Sequence, residues 1–264
     1  MALLEALFLV TFWICAASVV LALWALRPPR LPLSVAPATR NLTVEPVRFP
    51  ATDGVRLSGW KIPGTPGKPW ILLCHPPHAT RAMLLDVAEQ LARDGYNLLL
   101  FDFRGHGESQ RHTISYGWVE RHDLQGALVF LGREADVPDR PYGIFAEASA
   151  AMTAILVAAT DDRLKAVVIR NPSYDPISPL LARLRELLGV TPPIRPLVEL
   201  TYRLRFGIWP SHLAIQESIT QLSGVSTRLL TTGDDDEAAA FLRQQLDIDR
   251  WKWRSSSDGS ALGL

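Results

Sequence analysis

Five short apolar runs, set apart by stretches of helical character, constrain the fold of this chain more than any other feature. The runs cover residues 70–74, 97–101, 142–145, 166–170 and 227–232, and helices are predicted at residues 82–93, 119–134, 152–159 and 237–246. A short run that is apolar without alternation is typical of a strand covered on both faces. Strands and helices in this order predict a doubly wound α/β fold with a mostly parallel sheet.

Two further strands, at residues 43–49 and 55–62, precede these runs and alternate in character. The intervening Thr52-Asp53-Gly54 predicts a hairpin turn. The α/β domain is therefore assigned to residues 43–250. No strand is recognisable after the helix at 237–246, so the last strand region is absent from the pattern. Residues 251–264 are predicted to be disordered.

The segment at about residues 173–218 interrupts the alternation of strands and helices. Its helical pieces are broken by prolines, namely Pro172, Pro176, Pro179, Pro192, Pro193, Pro196 and Pro210. Within residues 180–188, five leucines form one apolar stripe. Two interpretations remain open: a helix that packs on the sheet, or a cap that covers a pocket.

A long uncharged run near the N-terminus, residues 6–26, could cross a hydrocarbon core of about 30 Å as a helix. Residues 1–26 are therefore predicted to be a single-pass membrane anchor. A cleaved signal peptide is the alternative, but no Lys or Arg precedes the run, and bulky Trp24 and Leu26 lie where small residues belong. Arginines follow the run, so the positive-inside rule predicts a cytoplasmic globular domain. Proline-rich residues 27–42 are predicted to be a stiff connector.

Composition narrows the classes of function. The chain has 264 residues, a formal net charge of zero and 48% apolar residues, which is typical of a globular domain and not of a disordered chain or a nucleic-acid binder. No cluster of basic residues along the sequence predicts a phosphate-binding surface. Cys15 and Cys74 imply no disulfide framework. The acidic run at residues 234–237 lacks the spacing of a calcium loop, so no metal and no cofactor are expected.

Four motifs occur in the order found in one family. Residues 101–109 read FDFRGHGES, His75 follows the run at 70–74, residues 142–152 read YGIFAEASAAM, and residues 233–236 read GDDD. The first resembles the DxRGHGxS segment of α/β-hydrolases, and the resemblance extends over residues 47–246. It is closest to the membrane-anchored lipase-like and serine-aminopeptidase-like branch. In that family FDFRGHGES is chiefly structural, so Asp102 and Arg104 are expected to hold the loop by hydrogen bonds.

The resemblance implies a serine nucleophile in a Gly-x-Ser-x-Gly turn between strand and helix. Here the two glycine positions fall on Ala146 and Ala150, and the serine position falls on Ala148. The nearest hydroxyl, that of Ser149, lies one residue later. Ser149 is either an alternative nucleophile or a first-turn serine that bonds to the helix backbone.

The family's other catalytic groups are also altered. None of the six histidines, at positions 75, 78, 106, 112, 122 and 212, follows Asp236, where the resemblance places the base. Asp236 matches the position of the acid but has no histidine to orient. His75 is followed by Pro76 and Pro77, and proline has no N–H to donate to an oxyanion.

Three functions follow from this degenerate triad. The preferred hypothesis is a catalytically impaired pseudo-hydrolase that binds a small hydrophobic or ester- or amide-like ligand, or a protein partner, in a site lined by His75, His78 and Phe145 with Ala148. The second is a serine hydrolase that uses Ser149 with a base from His75, His78 or His106. The third is a truncated or altered product of an active hydrolase.

Overall fold

A mixed sheet of seven strands organises the structure, a computed structural model. The structure describes residues 1–35, 37–40, 42–134, 141–188, 194–213, 222, 225–230 and 235–246. In chain order the strands are β1 (Glu45–Pro50), β2 (Arg56–Ile62), β3 (Trp70–Cys74), β4 (Asn97–Phe101), β5 (Tyr142–Glu147), β6 (Leu164–Arg170) and β7 (Ser226–Leu230). Across the sheet they lie in the order β1-β2-β4-β3-β5-β6-β7.

The strand directions confirm the predicted fold class. β1 pairs antiparallel with β2, and β2 pairs antiparallel with β4. From β4 to β7 every pair is parallel. The carboxyl ends of β3, β4, β5 and β6 consequently meet at one edge of the sheet, which is where ligands bind in open α/β folds.

Seven α-helices connect and cover the strands in the described part of the chain. They are α1 (Ala2–Ala25), α2 (Leu85–Arg93), α3 (Arg121–Glu134), α4 (Ala150–Ala158), α5 (Ile177–Leu188), α6 (Arg195–Phe206) and α7 (Asp235–Gln245). The predicted helix at 82–93 begins as a 3₁₀ turn, Arg81–Leu84. Residues 231–234 and 247–264 lie outside the described residues, and with them the predicted end of the last strand, Gly233, Asp234 and the predicted tail.

The core has one layer on each face of the sheet. Along β3, Leu72 and Cys74 point into a cluster with α3 and α4, whereas Ile71 and Leu73 point into a cluster with α2 and α7. Because successive side chains of a strand point to opposite faces, a strand covered on both sides must be apolar throughout. The continuous apolar runs of the sequence have this cause.

A third apolar cluster joins α1 to the two helices of the 173–218 segment. Ala22, Ala25 and Leu26 pack among side chains of α5 and α6, which include Leu180, Leu184, Val198 and Tyr202. Earlier in α1 the large side chains are exposed, for example 70% for both Leu4 and Phe8. α1 is the one described helix whose length and composition would suit a membrane span. Only its last turns are covered by protein.

The proline-rich residues that follow α1 run along the domain. Arg30 Nε donates to the carbonyl of Gly107 at 2.7 Å, and Leu33 and Leu42 pack against the core layer of α2 and α7. The Arg40 guanidinium pairs with Asp86 at the start of α2. These contacts hold the connector against the globular part instead of extending it away.

Candidate active site

The turn between β5 and α4 has the backbone geometry of a nucleophile elbow. Ala148 adopts the left-handed conformation with φ +54°. Its N–H donates to the carbonyl of Arg170 at 3.0 Å, and its own carbonyl accepts from Ala151 and Ser173, each at 3.1 Å. A left-handed conformation costs a non-glycine residue about 1–2 kcal/mol. The strain falls on the position at which the sequence pattern places the family's serine, and that position holds a methyl group.

Ser149 follows in an ordinary helical conformation, with φ −71° and ψ −14°. It is 6% exposed. Its hydroxyl does not cap α4, and among the described residues it has no histidine partner. Ser149 therefore has neither the elbow conformation nor the base that would make it a strong nucleophile.

His75 and His106 lie near Ser149, but their ring nitrogens are already engaged. His75 Nδ1 donates to the Pro76 carbonyl at 2.7 Å, and its Nε2 accepts from the N–H of Phe103 at 3.0 Å. His106 Nδ1 donates to the Arg104 carbonyl at 3.0 Å, and its Nε2 accepts from the N–H of His78 at 3.2 Å. Burial lowers the pKa of His75 to about 4 and that of His106 to about 3. Both rings are neutral acceptors of backbone N–H groups at pH 7.

His78 links the edge of the sheet to helix α5. Like Tyr116, it adopts a left-handed conformation, with φ values of +59° and +56°. The Tyr116 hydroxyl lies 3.2 Å from His78 Nε2, and Arg183 Nη1 lies 3.5 Å from His78 Nδ1. Because Arg183 is a donor, Nδ1 is the acceptor and Nε2 carries the proton. Burial, aided by the nearby Arg183 charge, lowers the pKa of His78.

A cavity of about 20 Å³ lies between these groups. Ser149, His75, His106, Tyr116, Glu120 and Thr153 contribute to its walls. This volume is close to what one water molecule needs. A larger ligand would enter only if the side chains around the cavity moved apart.

Glu120 and Thr153 hold the wall of this cavity in place. The Glu120 carboxylate accepts the N–H groups of Ser115 and Gly117, each at 2.8 Å, and the Ser115 hydroxyl at 2.7 Å. The Thr153 hydroxyl donates to the Gly117 carbonyl at 3.0 Å. These bonds give both side chains a structural role in the wall.

The FDFRGHGES loop is held by two buried carboxylates. Asp102 accepts the N–H groups of Arg81 and Glu108 at 2.8 and 2.9 Å and pairs with the Arg81 guanidinium. Arg104 donates to Asp123 from Nε and Nη2 at 2.9 and 2.8 Å, and to Asp53 from Nη1 and Nη2. Asp102 and Arg104 therefore have the structural role expected from the family resemblance.

The remaining predicted site residues lie elsewhere. Asp236 is exposed in the first turn of α7 and does not line the cavity. Its neighbour Asp235 pairs with Arg170, which also binds Glu147 at 2.8 Å. Phe145 is completely buried in the core layer of α2 and α7, with the Arg170 guanidinium 5.0 Å from its ring centroid. Neither Asp236 nor Phe145 lines the cavity.

One oxyanion donor is available at this edge of the sheet. The N–H of Ser149 has no acceptor among the residues that the structure describes. The family's second donor would come from the segment after β3, where Pro76 and Pro77 line the same cavity without an N–H. In the described ranges, no group of three or more His, Cys, Asp or Glu side chains is arranged to hold a metal ion.

Comparison with protein families identifies this architecture. The model of the family described as serine aminopeptidase S33 matches residues 66–221, which is more than half of the chain. The chain belongs to the serine aminopeptidase S33 family. Its members are α/β-hydrolases, in agreement with the strand order and with the elbow between β5 and α4.

Similar proteins of this group differ in what they are named for. An uncharacterised protein of Mycobacterium tuberculosis is 33% identical over 141 residues, which are 53% of this chain and 47% of that protein. A polyketide transferase of Aspergillus fumigatus is 33% identical over 138 residues, 50% of this chain and 47% of that protein. The chain thus spans about half the length of the curated relatives it matches.

Solved structures show the same fold. The esterase Pf2001 of Pyrococcus furiosus superimposes with a TM-score of 0.61 and 19% identity, over 83% of this chain and 99% of the esterase. At this level of identity the similarity establishes the fold, and the chemistry has to be argued from the residues at the strand ends.

Sequence reasoning did not find Tyr116 and Arg183, which complete the surroundings of His78. Tyr116 lies in the loop between β4 and α3. Arg183 lies in α5, more than a hundred residues after His78. No spacing rule connects such positions. The left-handed conformation of Tyr116 had no signal either, because turns that require it usually carry Gly or Asn.

Proposed function

We propose that this chain is a membrane-anchored pseudo-hydrolase, which binds a small ester- or amide-like ligand at the strand ends without hydrolysing it by the serine-histidine-acid mechanism. The observation that carries the proposal is Ala148 at φ +54° in the elbow. A fold that retains the strained turn but lacks the hydroxyl it presents has kept the shape of the site and lost its nucleophile.

The surrounding groups support the same conclusion. General-base catalysis contributes about 10²- to 10⁴-fold to the rate, but His75 and His106 have both nitrogens engaged and low pKa values. Loss of one oxyanion donor costs roughly another 10²- to 10³-fold. Restoring the serine alone is therefore expected to leave hydrolysis undetectable.

The first experiment combines a fluorophosphonate probe with turnover of a short-chain nitrophenyl ester. The full chain is used, in a nonionic detergent, because the end of α1 packs against α5 and α6 and cannot be removed without exposing their apolar side chains. The parent, Ala148→Ser and Ser149→Ala are compared. We expect all three to be silent while each unfolds cooperatively. Labelling of the parent that disappears in Ser149→Ala would refute the proposal and establish Ser149 as the nucleophile.

Ligand binding is tested with ethyl butyrate as the probe, measured as an increase in Tm. Ser149→Leu fills the cavity and is expected to abolish the increase, whereas Thr160→Leu, at the exposed C-terminal end of α4, is the control. If both variants respond to the ester like the parent, the ligand does not occupy this cavity.

The membrane part of the proposal rests on the exposed apolar surface of α1. Alkaline carbonate extraction of membranes that contain the full chain tests it directly. An integral protein remains in the pellet, and release of the whole chain into the supernatant would exclude the anchor. Protease protection in sealed vesicles then tests the cytoplasmic orientation that the arginines after α1 favour.

A further inference from the structure

Five arginines that are distant in sequence surround one groove beside the end of α1. They are Arg27, Arg30, Arg111, Arg183 and Arg205, and Trp24 completes the wall. The groove has a volume of about 710 Å³. No carboxylate lines it. In a chain with 27 basic and 27 acidic side chains, this separation of charge distinguishes the groove from the average surface.

The positive charges in the groove are not neutralised by the protein. Arg30 donates to the Gly107 carbonyl and Arg205 to the Thr113 hydroxyl, both of which are uncharged acceptors. The Arg183 guanidinium lies 4.8 Å from the ring centroid of Trp24. None of the five forms an ion pair with a carboxylate in the described part of the chain. Such a set of guanidinium groups is suited to a phosphate, which can accept several of their forked N–H donors.

The position of the groove indicates where the phosphate comes from. Trp24 and Arg27 end the apolar helix, and Trp and Arg are the residues that anchor a span at the level of lipid headgroups. On α6, Leu204 next to Arg205 is 79% exposed and Leu200 one turn earlier is 42% exposed. These exposed apolar side chains on the helix that carries Arg205 fit acyl chains, which a free phosphate ion does not have.

We infer that this arginine groove binds the phosphate of an anionic phospholipid at the membrane surface, with the exposed leucines of α6 towards the acyl chains. The inference rests on the proposed anchoring of α1 and assigns the groove a ligand that differs from that of the strand-end cavity. Two juxtamembrane arginines near an anionic surface correspond to roughly tenfold or more in affinity.

The test is calorimetric titration of the full chain in nonionic detergent with three probes: dihexanoylphosphatidylglycerol, dihexanoylphosphatidylcholine and inorganic phosphate. The groove variant is Arg111→Gln with Arg205→Gln. The matched control is Arg133→Gln with Arg185→Gln, two arginines that do not line the groove and whose removal changes the net charge equally.

The anionic lipid is expected to bind the parent and the control about tenfold or more tighter than either other probe, and the groove variant is expected to lose this preference. Equal binding by the groove variant and the control would overturn the inference. Phosphate that binds as tightly as the anionic lipid would assign the groove to a free anion instead. Because monomeric lipids need no bilayer, carbonate extraction tests the anchor separately, and failure of the lipid site alone leaves the anchor and the inactive elbow standing.

Discussion

Arg104 binds Asp123 through two nitrogens, Nε and Nη2, at 2.9 and 2.8 Å, and both side chains are fully buried. Asp53 binds the same guanidinium from the turn between β1 and β2. One arginine of the FDFRGHGES loop thus connects the first hairpin, the loop after β4 and the start of α3. These segments surround the end of the sheet at which the candidate site lies.

Substitution of Asp123, the buried partner of Arg104, is expected to lower the free energy of unfolding strongly. Asp123→Asn leaves the Arg104 charge with only the more exposed Asp53, and breaking a buried ion pair on one side typically costs about 3–5 kcal/mol. The free energy of unfolding in urea, followed by tryptophan fluorescence, measures the effect. Asp53→Asn is the control and should cost clearly less. Equal losses would mean that Asp53 contributes as much to the interaction as the buried Asp123.

Gly107 allows the same loop to close over Asp102. It has φ +44°, and a Cβ atom there would overlap the Asp102 carboxylate. Gly107→Ala should therefore disturb the Arg81–Asp102 pair and lower the free energy of unfolding by about 3 kcal/mol or more.

Gly54→Ala provides the matched control for that substitution. Gly54 also has a positive φ, +87°, but a Cβ atom there meets nothing within 4 Å. Gly54→Ala is therefore expected to lower the free energy of unfolding by only about 1–2 kcal/mol, through conformational strain alone. If the two variants lose the same stability, the contact with Asp102 is not what requires glycine at position 107.

The strain at Ala148 gives a prediction of opposite sign. Ala148→Gly relieves a left-handed alanine, and this gain of about 1–2 kcal/mol offsets or exceeds the entropic cost of glycine. Ala240→Gly, at an exposed position in α7, should instead destabilise by about 1 kcal/mol. Urea midpoints of the two variants relative to the parent measure the difference. A loss at Ala148 as large as that at Ala240 would show that the elbow is not strained.

The buried histidines should make stability depend on pH. His75 and His106 have lowered pKa values, about 4 and about 3, whereas histidine in an unfolded chain has a pKa near 6.5. As the pH falls below about 6.5, the unfolded state binds protons that the folded state does not, so the free energy of unfolding falls. Each histidine contributes about 1.4 kcal/mol per pH unit until its folded pKa is approached.

Urea unfolding between pH 7 and pH 5 measures this slope. In His106→Gln one of the two buried histidines is gone, while an amide can still donate to the Arg104 carbonyl and accept from His78. The slope of this variant should be shallower than that of the parent by an amount that rises towards about 1.4 kcal/mol per pH unit as pH 5 is approached. An unchanged slope would show that His106 does not resist protonation.

The parallel strands of the sheet could be predicted from the sequence, because a strand buried on both faces needs apolar residues at every position. The predicted bounds of β3 and β4 are those observed. The bounds of α6 were not predicted, because the prolines of the 173–218 segment indicated broken helices. In the structure Pro196 lies in the first turn of α6, where the missing N–H of proline removes no helical hydrogen bond. The packing of the end of α1 against α5 and α6 could not be predicted either, because an apolar run has the same composition whether lipid or protein covers it.

The site was predictable only in part, for a similar reason. The elbow motif located Ala148 and Ser149, since local spacing sets a strand-to-helix turn. The tautomers of His75 and His106 depend on carbonyl and N–H groups of other segments. The arginine groove gathers residues from α1, two loops and two cap helices. No cluster of basic residues along the chain indicates it.

The apolar core that α1 shares with α5 and α6 has a mechanical consequence. Tyr116 belongs both to that core and to the wall of the strand-end cavity. If α1 spans the bilayer as proposed, a change in its tilt displaces the core that Tyr116 shares with α5 and α6, and with it one wall of the cavity. The tilt of a spanning helix responds to bilayer thickness. Access to the cavity would then depend on the thickness of the surrounding membrane, so the same chain would bind its ligand differently in thin and in thick bilayers.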